Sequence, residues 1–122
     1  MPQMIIDYSD NIQNLDTQQL MSGLNHALFE TGLIAPVNAI KTRIRAHSEF
    51  LIGFGEDQQA YIHVHVCILS GRNPQQKKLI VDQLSECLQA FKAYSAEGLE
   101  VQLCVELSEM PKIDYRKTVV KF

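Results

Sequence analysis

Tyr61-Ile62-His63-Val64-His65-Val66-Cys67-Ile68-Leu69, running through Ser70-Gly71-Arg72 into Asn73-Pro74-Gln75-Gln76, is the stretch that decides the fold. Ile62, Val64, Val66 and Ile68 alternate with Tyr61, His63, His65 and Cys67, so the segment reads as a strand with one apolar and one polar face. Asn73 suits an N-cap, Pro74 the first helical position, and Gln76 the closing member of a capping box. A helix must therefore start directly after the strand. Ile80, Leu84, Cys87, Leu88 and Phe91 mark its buried stripe, with Gly98 read as lying just beyond its end. A further strand alternates Leu99, Val101, Leu103, Val105 and Leu107 against Glu100, Gln102, Cys104 and Glu106.

The same order of elements occurs upstream. Met4 to Tyr8 is a short apolar run stopped by Ser9-Asp10-Asn11, whose side chains favour turns. Asp16 and Gln19 resemble a capping box, Leu20, Met21, Leu24 and Leu28 form a helical core stripe, and Thr31-Gly32 supplies a stop. Ile40, Thr42, Ile44 and Ala46 then alternate with Lys41, Arg43, Arg45 and His47, giving a strand with one wholly basic face. A loop with Gly53, Gly55, Glu56 and Asp57 leads into the second unit, offset by roughly 58 residues from the first. The chain reads as α/β (α+β), a doubled βαβ unit in one domain, 1–122, with pseudo-repeats 2–48 and 60–107. Both crossover helices are expected on one face of a four-stranded sheet. The other face would carry Lys41, Arg43, Arg45, His63 and His65; an assembly that buried it would need Glu100, Glu106 or bound anions as partners. The arm 111–122 carries Ile113, Tyr115, Val119, Val120 and Phe122, too apolar for a solvated end and suited to another subunit.

Composition narrows the function. The 122 residues are 46% hydrophobic and 20% charged, enough apolar matter for a core. A net charge of -3 offers no positive field for nucleic acid or anionic lipid. With neither a basic leader nor a long apolar run, the chain is expected in the cytoplasm. Cys67, Cys87 and Cys104 lack zinc-finger or thioredoxin spacing and read as reduced, mostly buried thiols. His63, His65 and Cys67 share a strand face and could approach a metal, but no carboxylate ligand stands near them in sequence, and hydrogen-bonding histidines are the simpler reading. No dinucleotide or phosphate-loop pattern and no nucleophile elbow occurs. No cofactor and no metal are expected.

Pro2 carries the most chemistry. Removal of an initiator Met before a small residue would make Pro2 an amino-terminal secondary amine. An α-amino group titrates near 7.7 to 8.0, and desolvation or nearby cations lower it toward the working pH of a general base.

Several segments together support a resemblance. They are Met1-Pro2, Tyr8-Ser9-Asp10-Asn11-Ile12, Thr31-Gly32 with Pro36, Ile40-Lys41-Thr42-Arg43-Ile44, and Tyr61 to Leu69 running into Gly71-Arg72. In this order, over nearly the whole chain, they resemble the 5-carboxymethyl-2-hydroxymuconate isomerase family of the tautomerase superfamily. The resemblance implies a four-stranded mixed sheet, a homotrimer, and cofactor-free proton transfer that moves a double bond in a small anionic enol acid of homoprotocatechuate breakdown. It implies Pro2 as the base, and Arg72 and Lys41 as substrate-binding cations. Lys41 stands where the family commonly has arginine, keeping the charge but losing the bidentate fork, and Arg43 is a second substrate-binding candidate on the same face. Two other readings remain at this level: a tautomerase for another keto-enol acid, and a non-catalytic ferredoxin-like effector-binding module.

Overall fold

A computed structural model describes residues 1–122. The elements are β1 (Gln3–Ser9), α1 (Thr17–Glu30), β2 (Lys41–His47), β3 (Gln59–Leu69), α2 (Pro74–Ala90) and β4 (Glu100–Met110). Short 3-10 turns at Val37–Ala39 and Lys112–Asp114 add to these. The sheet order is β2-β1-β3-β4, with β1·β2 and β3·β4 parallel and β1·β3 antiparallel. Each helix thus crosses between neighbouring strands, and the two βαβ units meet through β1 and β3. The ferredoxin-like alternative fails here, because its βαβ units are split by an intervening strand.

The helices form where their caps lie. Asp16 accepts from the Gln19 amide at 3.0 Å. At α2 the box is complete, Asn73 accepting from the Gln76 amide at 2.8 Å and Gln76 accepting from the Asn73 amide at 3.0 Å. α1 ends at Thr31-Gly32, where Gly32 takes a φ of 75° that a side chain would oppose. α2 ends earlier than expected. Phe91 is already extended, because residues after it leave the helix to place Ser95 in a bridge with Gln13, so Gly98 lies well past the terminus.

One core cluster joins both units. Met4 and Ile6 of β1, Leu20, Leu24 and Leu28 of α1, Ile62, Val64, Val66 and Ile68 of β3, and Ile80, Leu84 and Leu88 of α2 are buried together. Met21, expected in the core, is only half-buried and lines a groove beside α1 with Phe29 and Val37. Leu103, Val105 and Leu107 are also half-buried, since β4 is an edge strand.

The uncovered face gathers the polar sets by register. Lys41, Arg43, Arg45 and His47 stand beside Gln3, Ile5, Asp7 and Ser9, then Cys67, His65, His63 and Tyr61, then Ser108, Glu106, Cys104 and Gln102. Within one chain β1 and β3 separate Glu100 and Glu106 from the β2 cations, so of the basic residues of this face only His63 has one of these carboxylates as partner. Glu106 meets His63 at 2.9 Å and Glu100 accepts from Gln59 at 3.0 Å. His47 pairs instead with Asp7 at 2.6 Å. The thiols also differ from expectation: Cys67 and Cys87 are half-buried and Cys104 is exposed, all three free. Cys104 points outward because the open face of an edge strand has nothing packed on it.

Candidate active site

Register explains why Pro2 meets Arg72. β1 runs antiparallel to β3 with Gln3 opposite Cys67, so the residues before Gln3 lie beside those that follow Cys67. Pro2, buried at the mouth of β1, therefore faces the end of β3, where the chain turns through Gly71 into α2. Met1, Pro2, Ile34, Ile68, Leu69 and Arg72 line a cleft there of about 40 Å³. Its walls are apolar, and the Arg72 guanidinium supplies its charge.

Arg72 is held by backbone. Its guanidinium donates to the Leu33 carbonyl at 2.8 Å and the Leu69 carbonyl at 3.3 Å, leaving it oriented without a carboxylate partner in either bond. Such a fixed fork suits a bound carboxylate or a developing oxyanion.

Lys41 is tied to Pro2 by backbone. As the first residue of β2 it donates its amide to the Pro2 carbonyl at 3.2 Å, while its Nζ donates to the Ala39 carbonyl at 2.7 Å. The Met1 amine donates to the Tyr115 hydroxyl at 2.6 Å. Desolvation, then the charges of Lys41 and Lys117 and a hydrogen bond with Lys41, hold this amine below its ordinary value of 8.0. With Met1 attached, the Pro2 nitrogen is an amide without a basic lone pair.

Pro2 and Arg72 thus line one cleft, Lys41 is bonded to Pro2 through its backbone without lining that cleft, and Arg43 lies apart from both. Its guanidinium donates to the Gln3 side chain at 2.9 Å on the open face of the sheet. His63 and His65 have separate partners, Glu106 for the first and Ser108 at 2.8 Å for the second; no group of three or more His, Cys, Asp or Glu converges as a metal site. Ile34 lines the cleft and Tyr115 meets the Met1 amine, two contacts that no local sequence signal marks. In the sequence Tyr115 reads as an apolar member of the arm, and nothing local ties it to the N-terminus. Larger hollows lie elsewhere, among them one of about 710 Å³ beside α1 and one of about 750 Å³ over the Asp7–His47 end of the sheet. Met1 is one of the residues that wall the smaller Pro2 cleft.

The family model for 5-carboxymethyl-2-hydroxymuconate isomerase matches residues 2–121. The chain belongs to the 5-carboxymethyl-2-hydroxymuconate isomerase family. Its likeness to the 5-carboxymethyl-2-hydroxymuconate Delta-isomerase of Escherichia coli is 25% identity over 122 residues, spanning 98% of this chain and 96% of that protein. The crystal structure of a 5-carboxymethyl-2-hydroxymuconate isomerase from Deinococcus radiodurans R1 superposes with a TM-score of 0.81 at 24% identity, covering 96% of this chain and 88% of that one. A fused 4-OT wild type symmetric trimer has a TM-score of 0.61 at 18% identity, covering 90% and 86%. Membership in this isomerase family makes the protein an enzyme with an isomerase or tautomerase role and a tautomerase-superfamily fold. No helix is long and apolar enough to cross a membrane.

Proposed function

We propose that the protein, once Met1 is removed, isomerises 5-carboxymethyl-2-hydroxymuconate with the Pro2 amine as general base. The observation that carries this reading is the cleft that Pro2 and Arg72 share, with Lys41 bonded through its amide to the Pro2 carbonyl. Loss of Met1 would remove one wall of that cleft and leave a secondary amine on Pro2, which is buried in the present structure. Burial and the Lys41 charge, which already lower the Met1 amine, would act on the Pro2 amine in the same direction, moving it toward the range a general base needs.

In the reaction the amine takes the proton of the enol hydroxyl. The O–H bond breaks, a C=O bond forms at that carbon, the remaining C=C bond moves along the chain, and the same proton forms a C–H bond at the far end of the diene. Nothing is oxidised or reduced overall. Arg72 holds a carboxylate or the oxygen on which charge develops, and Lys41 binds a second carboxylate as a point charge. We place this activity in homoprotocatechuate breakdown in the cytoplasm, in one domain assembled as a homotrimer. The exposed apolar residues Ile113, Val119, Val120 and Phe122 support that assembly, since water is a poor partner for them.

Lysine in place of arginine at position 41 favours a second reading, a tautomerase for a related keto-enol acid. An ultraviolet assay of the processed protein on 5-carboxymethyl-2-hydroxymuconate and a panel of other enol acids tests both. Fastest turnover of the tricarboxylate supports the first; a preference for a monocarboxylate such as an enolic phenylpyruvate supports the second.

A further inference from the structure

The charges on the open face of the sheet are sorted by strand. Lys41, Arg43 and Arg45 stand exposed along β2, and Glu100 and Glu106 stand exposed along β4. With β1 and β3 between them, the two edges are three strand spacings apart, about 14 Å, beyond the roughly 8 Å over which exposed charges act in physiological salt. Within one chain neither edge neutralises the other.

The β2 arginines lack what other exposed cations have. Lys77 reaches Glu109 at 2.8 Å and Lys78 pairs with Asp82 one turn along α2, whereas neither Arg43 nor Arg45 has an ion pair. Asp7, the carboxylate in register with Arg45, is taken by His47 at 2.6 Å, and Arg43 finds only the neutral Gln3 side chain. Two residues apart on one strand face, the arginines also repel each other. The carboxylates of β4 are equally uncompensated: Glu100 accepts from the neutral Gln59 amide at 3.0 Å, and Glu106 keeps more than half of its side chain exposed beside His63. At the centre of the face, Ile5 presents an aliphatic side chain with no layer packed on it.

A ring with an odd number of copies cannot be built from two-fold contacts. Each copy must offer one patch to the neighbour before it and a different patch to the neighbour after it. The edges β2 and β4 are such a pair, opposite in charge and at opposite sides of one sheet. We propose that the partner of this face is a second copy of the chain, Arg43 and Arg45 of β2 in one copy meeting Glu100 and Glu106 of β4 in the next, so that three copies close into a ring. The number three rests on the homotrimer reading above; the pairing of the edges rests on their charge. Arg43, which lies apart from the Pro2 cleft, thereby has a role in assembly.

Sedimentation of the full chain over a range of concentrations tests the pairing. Wild type should form a trimer. The double variants Arg43→Glu/Arg45→Glu and Glu100→Lys/Glu106→Lys should each raise its dissociation constant at least about a hundredfold, the scale of like charges set against each other in an interface. All four side chains are exposed and outside the core, so the fold should persist, which circular dichroism checks. A chain carrying all four reversals should assemble again, its edges complementary with the signs exchanged. A mixture of the two double variants should not regain the trimer, since any ring of three places two like variants side by side. Should a reversal unfold the chain, wild type reads the same contact: its dissociation constant should climb as salt rises from about 0.05 to about 0.5 M, and a constant that ignores salt overturns the pairing. Unchanged trimers in either double variant, a folded fourfold variant that stays apart, or a mixture that regains the trimer overturns the pairing while leaving the homotrimer standing. A monomeric wild type overturns both, and the isomerase reading is then judged separately by turnover of the chain lacking Met1.

Discussion

Pro2 and Arg72 line one cleft although they come from different βαβ units, because the only antiparallel pairing in the sheet sets the start of β1 against the end of β3. The site is therefore built at the seam between the two units. Neither unit alone would hold both the amine and the guanidinium.

Arg72 has two tasks, and variants should separate them. Arg72→Lys keeps a charge but loses the fork that bonds the Leu33 and Leu69 carbonyls and a carboxylate together. Its kcat/KM should fall about a hundredfold, the loss expected from one transition-state hydrogen-bond donor. Steady-state kinetics beside a melting curve checks this; an unchanged kcat/KM would show that Arg72 does not touch substrate.

The Met1 amine makes a pH prediction for protein that retains it. Its folded pKa lies below 8.0, so between the folded value and 8.0 the unfolded chain binds more protons than the native one. Stability should then rise with pH across that window, with the penalty fully present below the folded pKa and gone above 8.0. Removing Met1 moves the amine to Pro2 and should alter this slope. Melting temperatures from pH 6 to 9, measured for both forms, give the comparison.

The thiols should differ in reactivity. Burial first, and the Glu30 charge second, push the Cys87 thiol above its ordinary value of 9.0, while Cys104 is exposed. A thiol reagent at pH 8 should modify Cys104 first and Cys87 slowest, since the thiolate is the nucleophile. Peptide mapping after partial labelling would read the order, and early labelling of Cys87 would contradict it.

Two substitutions test the account of the second helix. Asn73→Ala removes a complete capping box and should cost about 1 kcal/mol. Leu84→Ala, at a fully buried position between the helices and the sheet, should cost about 2–5 kcal/mol. Urea titration measures both, and a loss at Asn73 as large as at Leu84 would mean that the cap does more than close the helix.

Much of this architecture was legible because it is local. Alternation along Tyr61 to Leu69 and Lys41 to His47 fixed which side chains share a face, and Asp16 and Asn73 marked helix starts. The end of α2 was not legible: Phe91 continues the apolar spacing, and only the distant bridge between Gln13 and Ser95 draws the chain out of the helix. Exposure of Cys104 follows from β4 being an edge strand, a property of sheet order rather than of alternation. Arg43 shares its face with Lys41, yet its bond to Gln3 takes it from the cleft. Tyr115 reaches the N-terminus across almost the whole chain, a contact no spacing rule contains.

The central claim is that the Pro2 amine is the base, and turnover of 5-carboxymethyl-2-hydroxymuconate by three proteins of confirmed mass tests it most directly. These are the chain without Met1, the same chain with Pro2→Ala, and the chain retaining Met1. The account predicts rapid conversion by the first and at least a hundredfold less by the other two, the scale of general acid–base catalysis, with all three folded. Equal turnover by the protein that keeps Met1, whose Pro2 nitrogen is an amide, would contradict it.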